Sequence, residues 1–218
     1  MQNSTQGKIT SDLKEKNDYG NIRWHARHFS NEHWRRKIVK QNNMIVVYKS
    51  STGFTKKYAE FIAEEMECAL ADYKTVTADK LSKYDVVIFG TRAHAGMIDG
   101  YQKAKKLFEK SNVSKVILFV TGAAPNAATN VIEKLWNQNL TADEMAKMPH
   151  FYMQSGLCYE NMSLLDRMMM KAAAVMIKKK KNKTSEEMGF EQAIKSSFDI
   201  SSKAYIEPLI SYMKGDMK

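Results

Sequence analysis

Between positions 50 and 55 the chain reads Ser-Ser-Thr-Gly-Phe-Thr, four hydroxyls crowded around one glycine. The stretch follows an apolar run and precedes a segment with helical spacing. A turn of this kind delivers the amino terminus of a helix, where unpaired N–H groups and the helix dipole favour an anion. Ser50, Ser51, Thr52 and Thr55 add hydroxyl donors, and Gly53 lets the backbone approach a ligand closely. Phe54 is the one apolar member. The GK(S/T) ending of a nucleotide-binding P-loop is absent, so neither a lysine nor a magnesium-bound hydroxyl is supplied. The GxGxxG pattern is absent too, which counts against a dinucleotide. What remains suits a single terminal phosphate held by neutral donors. The plain alternative is an N-capped helix after a polar turn.

The elements that would position this loop follow from periodicity. MIVVY (44–48) is a short apolar, β-branched run typical of a buried parallel strand. Ala59, Ile62, Ala63, Met66 and Leu70 recur at helical spacing and predict a helix over 55–71 with one buried face. YKTVTA (73–78) reads as a weaker strand, YDVVIFG (84–90) and KVILFVTG (115–122) as buried strands ending at glycine, and HFYMQSGL (150–157) as a fifth strand. Helices are predicted from about Tyr101 to Lys110, across NAATNVIEKLW (126–136), and from about Ser202 to Met213. Strand alternating with helix implies a doubly wound α/β fold, a five-stranded parallel sheet covered on both faces. Ligands of such sheets bind at the carboxyl ends of the strands, near the switch in strand order. Three loops then matter: 49–55, 91–99 and 121–127.

Composition narrows the function classes. The 218 residues suffice for one α/β domain with an appendage, and 44% apolar with 27% charged residues is ordinary for a globular protein. Cys68, placed in the first predicted helix, and Cys158 lie outside any CxxC or CxxxxxR context. A zinc site, a dithiol redox motif and a cysteine phosphatase therefore lose support. No disulfide framework and no metal site are expected, and the chain reads as intracellular. No apolar stretch reaches the roughly 18 residues needed to cross a bilayer. The first thirty residues are too polar for a signal peptide.

The net charge of +10 is concentrated in two segments. Residues 1–43 carry +5 and residues 166–183 carry +6, leaving the remainder near −1. Solvated stretches or contact with an anionic surface would both account for this. In the second segment Arg167, Lys171 and Lys178 share one arc of a helical wheel. Met162, Leu165, Met169, Ala172 and Met176 fall opposite, and KKKKNK follows. Such a helix is too short to span a membrane but suited to lie on an anionic one. Its methionine face could instead pack on the domain, contact a quinone or adapt to a protein partner. The first 43 residues form a basic extension with little apolar periodicity, arising from an upstream start codon or serving as a docking arm. His25, His28 and His33 within it lack a clean metal spacing. The domain proper is expected over 44–218, with a helical basic insertion at 162–200. No nucleic-acid partner is expected.

SSTGFT directly after an apolar first strand resembles the phosphate loop of flavodoxins, S/T-x-T-G-x-T, and residues 44–158 follow the flavodoxin order of strands and helices. FGTRAHAGMIDGYQKAKKLFEK and GLCYENMSLLDRMMMKAAAVMIKKKKNK look like the flavodoxin-type, menaquinone-dependent protoporphyrinogen dehydrogenases, which resemble a flavodoxin carrying an extra basic helical segment after the last strand. The resemblance implies non-covalent FMN. Ser50, Ser51, Thr52, Gly53, Phe54 and Thr55 would hold its phosphate. Thr91, Arg92, Ala93, His94, Ala95 and Gly96 would wrap the ring edge, and Thr121, Gly122, Ala123 and Ala124 would cover the other side. Ordinary flavodoxins stack an aromatic on the ring; here the second loop offers only His94 and the third offers none.

Arg92 carries a further implication. Ordinary flavodoxins are acidic around the ring, whereas a guanidinium there favours the anionic reduced ring by charge attraction. A surface arginine paired with a nearby acid is the alternative, and His94 reads equally as a surface hydrogen-bonding group. No catalytic side chain is expected beyond the flavin itself, with Arg92 and His94 as the candidates. Three functions stay open at this point. One is a protoporphyrinogen dehydrogenase passing electrons to a quinone, in the cytoplasm or peripheral on the inner face of the cell membrane. The second is a soluble electron carrier between redox proteins, and the third is a non-catalytic membrane-docking module.

Overall fold

The apolar runs pair with one another because each, buried on both faces, satisfies its backbone only through neighbouring strands. The structure, a computed structural model, describes residues 43–215. Strand β1 (Met44–Tyr48) pairs in parallel with β2 (Ala69–Asp72) on one side and β3 (Val86–His94) on the other. A two-residue β4 (Met97–Ile98) folds back antiparallel on β3. Next come β5 (Lys115–Gly122), parallel to β3, and β6 (His150–Gln154), parallel to β5. The five-strand order is β2-β1-β3-β5-β6. The chain leaves β1 toward β2 and returns across β1 to β3, so the switch in strand order lies between β1 and β3.

Side-chain alternation along the strands builds two cores. Met44 and Val46 face helices α1 (Phe54–Met66) and α8 (Glu207–Lys214), where Tyr58, Ile62, Leu209 and Ile210 are buried. Ile45 and Val47 face the opposite side, against Leu81 of the short α2 (Ala78–Leu81), Tyr101 and Phe108 of α3 (Tyr101–Ser111) and Trp136 of α4 (Thr129–Asn139). A further short helix, α5 (Ala142–Lys147), is closed by a reciprocal Thr141–Glu144 capping box. The sequence reading did not predict α2 or α5.

Several boundaries differ from the expected ones: α4 begins at Thr129, not 126, and ends at Asn139, and β3 runs over Val86–His94, not 84–90. Helix α1 stops at Met66, not at 71, because Glu67 turns left-handed at φ 48° and Cys68 N–H bonds back to the Ala63 carbonyl. Cys68 therefore sits beyond the helix, where burial pushes its thiol up to about 11. The second strand is Ala69–Asp72, and the residues assigned to it begin as a 3-10 turn, Tyr73–Thr75. Leu70, read as part of a helical stripe, is 39% exposed on this edge strand. The fifth strand breaks at Ser155, and the following β7 (Gly156–Leu157) pairs antiparallel with β8 (Phe198–Asp199) in a separate two-stranded ladder. Between them lie α6 (Leu164–Lys179) and α7 (Ser185–Ala193). The final helix is a 3-10 turn, Lys203–Ile206, running into α8. No helix among the described residues is long and apolar enough to cross a membrane.

Candidate functional site

The first loop leaves β1 at the carboxyl edge of the sheet. Gly53 caps α1 at φ 99°, a left-handed angle that no β-branched residue tolerates, although a Cβ there would meet no atom within 4 Å. The glycine is thus required by backbone conformation and not by space. Its N–H donates to Ser50 Oγ at 3.1 Å, closing the loop on itself. No side chain caps the helix, and no acid lies in its first turn. The amino-terminal N–H groups of α1 and the accessible Ser51 and Thr52 form a donor nest without a competing carboxylate in that turn.

Thr55 has a different role from the one its place in the motif suggested. It is buried, and its hydroxyl lies 2.8 Å from that of Thr121. Thr121 in turn reaches the Thr91 carbonyl at 3.4 Å. With Thr55 donating to Thr121 and Thr121 to Thr91, one hydroxyl chain stitches the three loops together across β1, β3 and β5.

The second loop is a hairpin. Strand β3 continues to His94, and Ala95 (φ 50°) and Gly96 (φ 79°) make the positive-φ turn into β4 that two-residue hairpins favour. Asn139 of α4 holds its tip, donating to the Gly96 carbonyl and accepting from Ile98 N–H, both at 2.9 Å. Behind the tip runs a line of charges. Lys49 Nζ lies 2.5 Å from Asp99 Oδ2, which also faces Arg92 Nε at 3.4 Å. Arg92 Nη1 lies 3.2 Å from Asp166 Oδ2, and His94 Nε2 lies 2.8 Å from Asp166 Oδ1. Burial opposes ionisation of both aspartates. For Asp99 the Lys49 and Arg92 contacts, and for Asp166 the His94 hydrogen bond and the Arg92 charge, outweigh it and hold each below the usual carboxylate range. Arg92 is therefore a neutralised guanidinium, which removes the simple charge argument attached to it by sequence.

The third loop is shaped from below by β6. Tyr152 Oη donates to the Ala124 carbonyl at 3.0 Å, and its hydroxyl lies where a Cβ on Gly122 would stand, 2.5 Å away. Gln154 and Asn126 bond reciprocally: Asn126 N–H donates to Gln154 Oε1 and Gln154 N–H to Asn126 Oδ1, each at 3.1 Å. Beside this loop a cleft of about 290 Å³ is lined by Asn126, Thr129, Ile132, Glu133, Trp136 and Tyr152. The two aromatics come from α4 and β6 and could not be found by scanning the loops alone. A cleft of about 340 Å³ near Lys115 and Glu144 lies at the other end of β5, away from the donor nest.

The inserted segment rises from the same edge. The β7–β8 ladder closes its base, and Lys57 of α1 pairs with Asp199 at 2.7 Å. Tyr159 Oη donates to the Ile194 carbonyl at 2.6 Å. Asp166 sits in the first turn of α6, capped by Ser163 Oγ at 3.1 Å. On the wheel, half-buried Asp166, Met170, Ala173, Ala174 and Ile177 face inward. Leu165, Met169 and Met176, of the apolar arc expected either to pack on the domain or to meet a membrane, quinone or partner, are exposed, as are Leu164 (78%) and Met168 (68%). Arg167, placed on the solvated arc, instead donates to the Met162 and Glu160 carbonyls at 3.2 Å. The Asp166 contacts to Arg92 and His94 lie on the covered side of the helix. The His25, His28 and His33 reading and nearly all of the extension lie outside the described residues. Asn43, counted with that extension, donates its N–H to Asp85 Oδ2 at 3.0 Å.

Fold and site together define a doubly wound α/β protein whose switch point carries a neutral-donor anion loop flanked by two further loops. A sequence model of the flavodoxin domain matches residues 45–185, and the chain belongs to that family. Its cofactor is FMN, and the residues fit one: an uncapped helix amino terminus, a left-handed glycine and free hydroxyls suit a phosphate monoester. Comparison with curated proteins finds no match. Among solved structures, a flavodoxin from the domain Archaea is similar at 15% identity, covering 70% of this chain and 99% of its own, with a TM-score of 0.36. A WrbA-like flavodoxin from Agrobacterium tumefaciens shows 19% identity over 70% of this chain and 95% of its own, TM-score 0.36. A flavoprotein in complex with FMN from Lactobacillus acidophilus shows 17% identity over 52% and 92%, TM-score 0.32.

Proposed function

We propose that this FMN-dependent redox protein is a dehydrogenase of the protoporphyrinogen-oxidising type, working at a membrane surface with a quinone as acceptor. The observation that carries the reading is the exposed face of α6: Leu164, Leu165, Met168 and Met176 stand out to solvent, with Lys171, Lys178 and Lys179 exposed on the same helix. An exposed apolar face of this kind marks an interaction surface, and burying it against a bilayer or a flat apolar ligand removes its cost in water.

FMN, when bound, would supply two-electron redox chemistry. The chain supplies the rest. Ser51, Thr52 and the α1 amino terminus hold the phosphate, and Ser50 keeps Gly53 in its left-handed setting. The Thr55–Thr121–Thr91 hydroxyl chain keeps the second and third loops at a fixed spacing. The Ala95–Gly96 turn presents its backbone at the ring edge, and Tyr152 props Gly122 and Ala124 against the other side. Over three two-electron steps the porphyrinogen loses six electrons and six protons, in net four bridge C–H and two pyrrole N–H hydrogens, and three quinones gain the same to become quinols. Lysines beside a methionine face suit both a carboxylate-bearing tetrapyrrole and an anionic headgroup layer.

Two measurements test this. Anaerobic turnover of protoporphyrinogen with a soluble quinone is read by porphyrin fluorescence. Co-sedimentation with anionic and neutral vesicles is compared at low and high salt. Turnover with salt-sensitive binding to anionic vesicles is expected. Flavin reduction by a redox partner with neither turnover nor vesicle binding would favour the soluble carrier. Vesicle binding without FMN would favour a docking module. Changing Lys178, Lys179, Lys180 and Lys181 to glutamine is expected to abolish vesicle binding and leave the flavin spectrum intact.

A further inference from the structure

We propose that Asp166, contributed by the inserted segment, is a positioning residue of the flavin site, fixing Arg92 and His94 and setting the charge that the ring meets. The inference rests on the reading of residues 91–96 as the ring-side loop.

Asp166 is remote from the site in sequence. It is the third residue of α6, beyond the last strand of the main sheet. It nevertheless spends both carboxylate oxygens on the second loop, Oδ2 on Arg92 at 3.2 Å and Oδ1 on His94 at 2.8 Å. Its side chain is only 12% exposed, and that of Arg92 only 19%. Bridging two side chains of one strand is a directional arrangement, since charge-assisted hydrogen bonds fix both donors at once. It is also the polar contact through which α6 reaches β3. At the base of the insertion Asp199 pairs with Lys57 of α1, while Tyr159 bonds within the insertion to Ser197 and Ile194.

The charge count gives the contact its consequence. The permanent charges of the cluster are two cations, Lys49 and Arg92, and two aspartates, Asp99 and Asp166. Asp99 is shared between Lys49 and Arg92. Asp166 is thus the counter-ion that brings the group to zero. Replacing it with asparagine leaves one uncompensated positive charge at the edge of the second loop. A positive charge beside a bound flavin stabilises the anionic reduced form over the oxidised one. The insertion, and not the flavodoxin core, then sets how readily the site accepts electrons. A lever of this kind would let a flavodoxin scaffold carry an added segment that tunes the site as well as docking it.

The test uses the full chain and the variants Asp166→Asn, Asp166→Glu and Asp166→Asn combined with Arg92→Gln. Amide hydrogen exchange on the FMN-free protein reads the positioning. Asparagine is expected to speed exchange about tenfold over residues 91–98 and the first turns of α6, and glutamate to restore most of the protection. The midpoint potential of the FMN-loaded protein reads the charge. It is expected to rise in Asp166→Asn and to return toward the wild-type value in Asp166→Glu and in the double variant, which again sums to zero. Faster exchange with an unchanged potential would reduce Asp166 to a structural tether and overturn the proposal. Unchanged exchange would overturn the positioning outright. A wild-type protein that takes up no FMN would defeat the cofactor reading, while the exchange data would still decide whether Asp166 holds the loop.

Discussion

Replacing Thr52 by alanine and Gly53 by valine is expected to discriminate FMN from riboflavin. Gly53 sits at φ 99° with open space where a side chain would project. A Cβ there meets no atom within 4 Å, so the cost of valine lies in backbone strain, at least about 1–3 kcal/mol. The loop relieves that strain by rotating, which turns the α1 amino-terminal N–H groups away from the phosphate. Thr52→Ala removes a hydroxyl donor as well. Hydrogen bonds to a charged group are each worth about 1.5–3 kcal/mol. Losing two of them costs about 3–6 kcal/mol, or roughly 10²–10⁴-fold in Kd. Riboflavin lacks the phosphate, and its affinity is expected to stay within a factor of about three, well under 1 kcal/mol. Titrating each ligand into the same apoprotein, by quenching of flavin fluorescence, gives both constants. A melt of the apoprotein shows whether the strain is absorbed in the loop. Equal loss for FMN and riboflavin would refute the phosphate assignment, because nothing in this loop then distinguishes the two.

Further outcomes follow from the geometry. Gly90→Ala would place a Cβ 1.9 Å from the Phe119 ring, which is fully buried, so the variant is expected to lose about 1–3 kcal/mol and roughly 2–12 °C in Tm; melting together with the wild type would contradict the packing. Glu144 is held at about 2: burial opposes its charge, and Lys105, the Thr141 backbone and Tyr101 outweigh that opposition. Its folded-state value is depressed, so its contribution is full above the ordinary value of 4.5, at most about 3 kcal/mol, and is lost as pH falls toward 2. Urea midpoints of the wild type and Glu144→Gln are expected to differ at neutral pH and converge near pH 2; a constant gap would show that the carboxylate charge is not the source. Removing residues 1–42, which leaves Asn43 to bond Asp85, is expected to leave FMN content and Tm nearly unchanged. Failure of that truncated chain to fold would move the domain boundary upstream.

The sequence by itself determined the central buried strands and the place of the first loop. Runs such as MIVVY and KVILFVTG are β-branched, apolar on both faces and bounded by glycine, so no surface element accommodates them, and β1 and β5 fall where periodicity puts them. The hydroxyl-glycine turn is local chemistry, legible because a helix amino terminus needs no distant partner to attract an anion. Signals that depended on a neighbour were not legible. Leu70 matched a helical stripe, yet pairing with β1 drew it into an edge strand once Glu67 had ended the helix. Thr55 read as a ligand hydroxyl and is spent on Thr121, 66 positions away. Tyr152 and Trp136 reach the third loop from outside it. Arg92 read either as a ring-side cation or as an arginine paired with a nearby acid, and its partner Asp166 lies 74 positions on. That contact lies on the covered side of α6, while Leu164, Leu165, Met168, Met169 and Met176 face solvent: the wheel gives the faces of a helix, but only the tertiary structure chooses which one is covered.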